Sequence, residues 1–353
     1  PALAASTDAL LQQSTAAKSA VSVLDEENGM MEEEPAYQMN LKYGSITVYI
    51  GADDKQYAQQ GNNEAQQRGN LWITTDGGRT TNTLTIEGGT TGAKVTLSNV
   101  NIETTSNAAV SVSGNVELII AGTNTLHSGT DHAGVEKADD NGTLTISGSG
   151  TLNAYGGESG AGIGSGSEKG CSNIVIESGT ITAKGGVLGA GIGGGQHAAG
   201  QNITIRDGNV TAIPGSEAAG IGGGFKGNGK DITINGGTVH AESGGGENVA
   251  AIGGGRVNGV GENIQITGGD VTVKSGTGVW IGGTNGEIGK DSLTGTVTYL
   301  NGSGNVVDEI VQDFDIIING QSVNSKNYNN ILGGTLCYDI EEKTLKLKDG
   351  KSF

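Results

Sequence analysis

The sequence predicts an all-β chain: a right-handed, single-stranded parallel β-helix, a solenoid with coils of about 29 residues. Two phrases recurring at one period carry that prediction. The first is glycine-rich: AGIGSG at 161–166, AGIGGG at 190–195, AGIGGG at 219–224, AAIGGG at 250–255 and WIGG at 280–283. Its isoleucines, Ile163, Ile192, Ile221, Ile252 and Ile281, keep a nearly constant interval. The second phrase keeps the same beat: NIVIESGTITA from Asn173, NITIRDGNVTA from Asn202, DITINGGTVHA from Asp231 and NIQITGGDVTV from Asn263. Two apolar phrases locked at one period mark one structural unit, copied and stacked.

Each unit reads as short strands and corners. In NITIRDGNVTA, Ile203 and Ile205 alternate with Thr204, and Val210 follows an Asp-Gly turn. Period-two alternation of Ile, Val and Thr is strand-like. A propeller blade needs roughly 40 residues and four strands, so the unit is too short for one. Stacked turns of a solenoid lie about 4.8 Å apart, the ordinary strand spacing. The 66 glycines serve corners with positive φ and close backbone approach. The isoleucine column 163, 192, 221, 252, 281 and a second column, Ile174, Ile203, Ile232 and Ile264, are expected inside. Trp280, in place of the small residue before the other ladder isoleucines, is expected to close the interior near the last coil.

The repeat continues upstream in worn form. Ile146 stands one period before Ile176, and Val135 one period before Ile163. VTLSNVNI at 95–102, VELIIAGTNTL at 116–126, TLTIEGG at 83–89 and LWITTDGG at 71–78 are rich in strand formers. The solenoid is therefore expected over 71–300. Residues 36–70 supply a cap or first strands: GSITVYIG alternates, whereas the polar run DDKQYAQQGNNEAQQ does not. Residues 1–35, with seven acidic side chains and one basic, read as a flexible acidic segment with room for a short helix at 7–24. In 301–353, Phe314, Ile316 and Ile318 alternate, as do Leu336, Tyr338 and Ile340, and Leu345 and Leu347. These read as three strands of a small β cap or the start of a following domain.

Composition narrows function. Net charge is −18, and the 20 basic residues never cluster. Nucleic acid is excluded as a partner, since it needs a basic footprint. No stretch reaches the roughly 20 apolar residues that span a bilayer, so no membrane insertion is expected, and no signal peptide is visible. Cys171 and Cys337 are too far apart in the predicted stack to suggest a disulfide.

AGIGGG, NITIRDGNVTA and GTLTISGSGTLNA resemble the motifs of exported bacterial right-handed parallel β-helix proteins. KVTLSNVNIETTSNAAVSVSGNVELIIAGTNTL resembles the matching coils of a clostridial carbohydrate-binding family, and the resemblance spans roughly 83–300. It implies a calcium-containing β-helix that binds acidic plant polysaccharide of the pectin type. FDIIINGQSV…NNILGGTLCYDIEEKTLKL resembles segments of large surface proteins of gut Firmicutes. Together these resemblances imply a bacterial protein that is secreted or attached to the cell wall or surface.

Candidate chemistry is sparse. No G-x-S-x-G elbow and no H-E-x-x-H occurs. Glycoside hydrolysis needs two carboxylates about 5 to 10 Å apart; Glu177 with Asp207, and Glu242 with Glu247, are the nearest candidates, and solvated corners explain them as well. A lyase would take Lys184, Arg206 or Arg256 as base beside calcium. The corner Asp139-Asp140-Asn141-Gly142 offers oxygens that suit calcium, with Asp139 and Asp140 as ligands, although an ordinary turn uses the same residues. Asp53-Asp54 is a second such cluster. His127, His132, His197 and His240 share no zinc-ligand spacing.

Ligand contact is expected at variable positions beside the fixed phrases. Four residues after each ladder isoleucine stand Ser167, Gln196, Phe225, Arg256 and Asn285, a vertical strip in which Phe225 and Arg256 suit sugar stacking and a charged contact. Tyr155 and Lys184 form a similar pair, each at the same offset before its isoleucine. The leading reading is a non-catalytic carbohydrate-binding or adhesive β-helix whose partner is a polysaccharide or host or plant glycan. A polysaccharide-active hydrolase or lyase is the alternative, and a structural spacer in a larger surface protein the third.

Overall fold

The computed structural model describes residues 37–137, 139–276, 279–287, 293–310, 313–318, 321–324, 336–339 and 344–347. The strands stack into three sheets running along a parallel β-solenoid. The first sheet extends from Tyr37–Asn40 to Gly261–Ile266. The parallel part of the second extends from Ile46–Ile50 to Ile281–Gly283, and that of the third from Arg79–Thr80 to Thr296–Asn301. Among the described residues the only helical element is the 3-10 turn Leu41–Tyr43.

Register follows the predicted ladders. Ile163, Ile192, Ile221, Ile252 and Ile281 are direct parallel partners on successive coils. Upstream the column continues through Val135, Val110 and Leu84. All are essentially inaccessible to solvent. Ile174, Ile203, Ile232 and Ile264 form the second column as expected, preceded by Leu144 and Val116. The third sheet turns smaller residues inward: Ala154, Ala183, Ala212 and Ala241 are partners in sequence. The core is therefore a tube of Ile, Val, Leu and Ala rather than of aromatic rings.

Two backbone devices keep the coils in step. After each ladder isoleucine of the second sheet comes a glycine with φ near +131° at Gly193 and Gly222. A Cβ at Gly222 would run into the carbonyl of Gly253 on the next coil. Only glycine accepts both that φ and that approach. In the first sheet, Asn173, Asn202, Asp231 and Asn263 take left-handed φ values of 50–60°. Both strands skip these positions in step, so each is a kink shared by successive coils, where a short polar side chain tolerates the left-handed conformation. The side chains then bond along the stack: Asn202 Nδ2 donates to Asn173 Oδ1 at 3.2 Å, and Asn263 Nδ2 to Asp231 Oδ1 at 2.6 Å.

The ends are closed by antiparallel chain. Ile46–Ile50 pairs with Gln56–Gln60, which pairs with Gln66–Gln67. The polar run after GSITVYIG thus holds strands although it does not alternate. Its glutamines bond to backbone: Gln56 receives the N–H of Lys94 at 2.7 Å and donates to the carbonyls of Lys94 and Arg68 at 3.1 and 2.8 Å. Gln60 donates to the carbonyls of Asn40 and Gly44. Side-chain amides thus occupy places that a further coil would fill. At the other end, Gly286–Glu287 and Val306–Ile310 fold back antiparallel onto the second and third sheets. Trp280 packs there against the core, edge-on to Tyr299 with centroids 6.0 Å apart, and donates its Nε1–H to Leu300 O at 2.7 Å.

Beyond these, Asp313–Ile318 pairs with Gln321–Asn324, and Leu336–Asp339 with Thr344–Leu347, both antiparallel. Gln321–Asn324 is a strand that the alternation did not indicate. The short helix considered at 7–24 lies outside the described residues.

Replacing Ile221 with Asp should destabilise the middle of the stack by roughly 3 kcal/mol or more, through lost apolar burial and a desolvated charge. Gly222→Ala should also destabilise, whereas Gly245→Ala, which meets nothing nearby, should be close to neutral. Thermal and urea unfolding of the three variants checks both devices; an unchanged transition for Ile221→Asp would contradict its interior position.

Candidate functional site

The first features to place are the acidic corners. Lys137 is a register partner of Val112 in the second sheet, so its side chain enters the interior and is fully buried. Its ammonium emerges among the oxygens of the next corner: Asp139 Oδ1 at 2.7 Å, Asp139 O at 2.9 Å and Asn141 O at 2.9 Å. Asp140 turns elsewhere and accepts from Ser172 Oγ at 2.8 Å. Of the oxygens that the sequence offered to calcium, those of Asp139 and the Asn141 carbonyl thus already face an internal cation, and the Asp139 and Asp140 carboxylates do not converge. Asp53 and Asp54 diverge as well, accepting from Tyr57 and Thr91. Among the described residues, no group of three or more His, Cys, Asp or Glu is arranged to hold a metal ion.

The carboxylate pairs are likewise committed. Glu177 is bonded to Arg206 on the next coil, while Asp207 accepts from the N–H of Gly208 at 2.7 Å. Glu242 lies 3.1 Å from His240 Nε2 and 3.4 Å from Lys274 Nζ. Partial burial pushes its carboxyl up, but the His240 bond and the Lys274 charge prevail and hold it below the usual range. A glycosidase acid needs the opposite shift. Arg256 is bonded to Glu217 at 2.7 Å, and that bond raises its pKa further, which removes it as a base.

The strip of variable residues forms in part. Glu168, His197 and Lys226 donate backbone N–H to Gln196, Phe225 and Arg256, placing those corners on successive coils. Phe225 is half-buried and tilted against His197, with centroids 5.7 Å apart. Arg256 does not complete a sugar clamp with Phe225, because Glu217 holds it. The cation beside Phe225 that has no carboxylate partner among the described residues is Lys226, whose Nζ is 5.2 Å from the ring centroid. Asn285 leaves the strip, because the chain reverses there and its amide caps Gly261.

Tyr155 and Lys184 do come together, as partners on adjacent coils of the third sheet. They border an open trough of about 470 Å³ whose walls include His127, Val187 and Pro214. Gly156, Gly185, Gly186 and Gly215 form a floor without side chains. These corners are glycine for an architectural reason, since a Cβ at Gly186 would strike the Gly157 carbonyl. The trough is thus a product of coil stacking. His127, the partner of Tyr155 on the preceding coil, stacks on it with centroids 4.2 Å apart and planes 4° apart. The sequence alone gives His127 no zinc-ligand spacing and no other role; its place one period before Tyr155 is the signal that would have paired them. One coil further, Glu103 is bonded to Arg79 at 2.6 Å, which holds its carboxyl below the usual range. Among the described residues Lys184 has no carboxylate partner within ion-pair distance.

Four segments, 144–167, 174–196, 203–225 and 232–256, match the Beta helix repeat family. Each falls on one coil of the stack just described. The matched segments and the solenoid together define a parallel β-helix repeat protein. No curated protein and no solved structure matches the chain. Among the described residues no helix is long and apolar enough to cross a membrane.

Removing the internal cation alone, as in Lys137→Met, should cost about 3 kcal/mol, because Asp139 and two carbonyls lose their donor. Adding Asp139→Asn should recover part of that loss, and equilibrium unfolding of the single and double variants measures it. Cys171 is a buried free thiol, and burial pushes its pKa up to about 12 from 9.0. As pH rises from about 9 toward about 12, the unfolded thiol ionises while the folded one stays neutral, so stability should fall across that window. In a Cys337→Ser background, a chromogenic disulfide reagent should therefore react with Cys171 only on unfolding.

Proposed function

We propose that this protein is a non-catalytic carbohydrate-binding β-helix, secreted from or displayed on a bacterial cell, whose ligand is an acidic polysaccharide. The observation that carries the reading is the trough at Tyr155 and Lys184. An aromatic stack offers the apolar surface against which a sugar ring packs. Beside it stands a cation with no carboxylate of its own, in a chain whose net charge is −18. A uronic acid satisfies both contacts at once through its ring and its carboxylate. The trough is open, which suits a polymer crossing it better than an engulfed metabolite. Phe225 with Lys226 repeats the combination of ring and free cation at another corner and is assigned as a second contact.

Binding is favoured over hydrolysis because the candidate carboxylates are held by Arg206, His240 and Lys274. Of the three lyase bases, Arg206 and Arg256 are bonded to glutamates, and Lys184 is read as the anchor for the ligand's carboxylate. The resemblance to exported clostridial β-helices supports the extracellular setting and the choice of pectin-type ligands. It also supports a part for calcium, which can bridge an acidic ligand to an acidic protein surface away from the Asp139 corner.

Isothermal titration of the full chain against oligogalacturonides, with and without calcium, tests the reading. Tyr155→Ala with Lys184→Ala should weaken binding by about tenfold or more while leaving the melting temperature within a few degrees. Undiminished affinity would remove the trough from the site. Release of reducing ends from the polymer would show catalysis and overturn the non-catalytic reading.

A further inference from the structure

The trough lies at the border of a larger surface. Seven strands of the third sheet carry two outer-face positions just before the one occupied by Tyr155 or Lys184, and of these Thr296 alone is buried. On the seven strands from Thr123–His127 to Thr296–Asn301 these fourteen positions are in unbroken register. Ten of the fourteen are threonine. Thr180 and Thr182 pair with Asn209 and Thr211, and Thr211 with His240, so two columns run along the solenoid. Asp270 is the one carboxylate in the array, in a chain with 38 acidic residues. The hydroxyls of Thr180, Thr182, Thr211, Thr238 and Thr272 make no hydrogen bond within the described residues. Threonine suits an outward strand position on its own account. That preference does not account for the near absence of charge, since the outward face of the first sheet carries Lys94, Glu117, Lys230 and Glu262.

We infer that this threonine face is an extended polysaccharide subsite, occupied by one linear chain lying parallel to the solenoid axis and continuous with the trough at Tyr155 and Lys184. The inference rests on the carbohydrate-binding reading above and adds the face, the direction and the length of the contact. Side chains repeated by translation every ~4.8 Å give the same contact to each unit of a ligand that also repeats by translation. Free hydroxyls supply donors and acceptors to sugar hydroxyls, and the methyls pack against ring C–H groups. Six inter-strand steps span about 29 Å, several sugar units, at that spacing. A face with a single carboxylate, Asp270, opposes an acidic polymer little. Lys184, at the border of the array, is the anchor for a carboxylate.

The test is titration of oligogalacturonides of one to ten units into the full chain, into Thr211→Glu/Thr238→Glu, which sets two carboxylates in the path of an acidic polymer, and into the control Thr204→Glu/Thr233→Glu, which adds the same charge on the first sheet. For the parent, affinity should rise by about tenfold or more between the dimer and the octamer, then level off. The third-sheet variant should lose this gain, binding the octamer no better than the parent binds the dimer, while keeping its own dimer affinity. The control should behave as the parent, and thermal melts should verify that both variants fold. Affinity independent of length, or equal effects of the two variants, overturns the threonine subsite but leaves the trough standing. No binding of any oligomer by the parent, with or without calcium, overturns both.

Discussion

Every coil must close on itself and arrive one strand spacing above its start. That geometric condition governs the rest of the molecule. Parallel pairing between coils satisfies the backbone only if each strand meets its copy in register. Register makes identical residues stack, which is why Ile192 sits on Ile163 and Ile221 on Ile192. It also fixes where side chains are forbidden, as at Gly193 and Gly222, where the next carbonyl takes the place of a Cβ. The left-handed kinks at Asn173, Asn202, Asp231 and Asn263 meet the same demand, because each coil turns at the same position and the ladder keeps its register. The glycine-floored trough follows from the same packing.

A stack that repeats by translation has no natural end, and its last coil would offer free pairing edges. The chain solves this with antiparallel strands at both ends and, at the first coils, with glutamine. The Gln56 amide matches a peptide group in its donor and acceptor, so it can stand in for a missing strand residue beside Lys94. Glutamine-rich sequence here is structural rather than a linker.

Legibility in the sequence follows the same division. The ladders were readable because register imposes identity on them, and Tyr155 with Lys184 because both sit at a constant offset from the ladder. Features that break identity were not readable. Lys137 sits in a column of valines and isoleucines, and only the structure shows its ammonium leaving the core to meet Asp139 and Asn141. Buried Asn124 likewise stands in an apolar column, satisfied by Val100, Ala121 and Thr151. Ion pairs such as Arg256 with Glu217 join corners that no fixed period relates. The threonine face was present in the phrases TIT, NVT and TVH, yet its meaning depended on knowing that these residues point outward and together.

The coils are not equally long. The ladder step from Val110 to Val135 takes less chain than the step from Ile221 to Ile252. Strand positions hold constant across that range, so the whole difference is taken up at the corners. Scaffold and contact surface can therefore change independently. A corner that gains or loses a residue alters what borders the trough without disturbing the ladders above and below. Such a design separates the part that must stay fixed from the part free to drift.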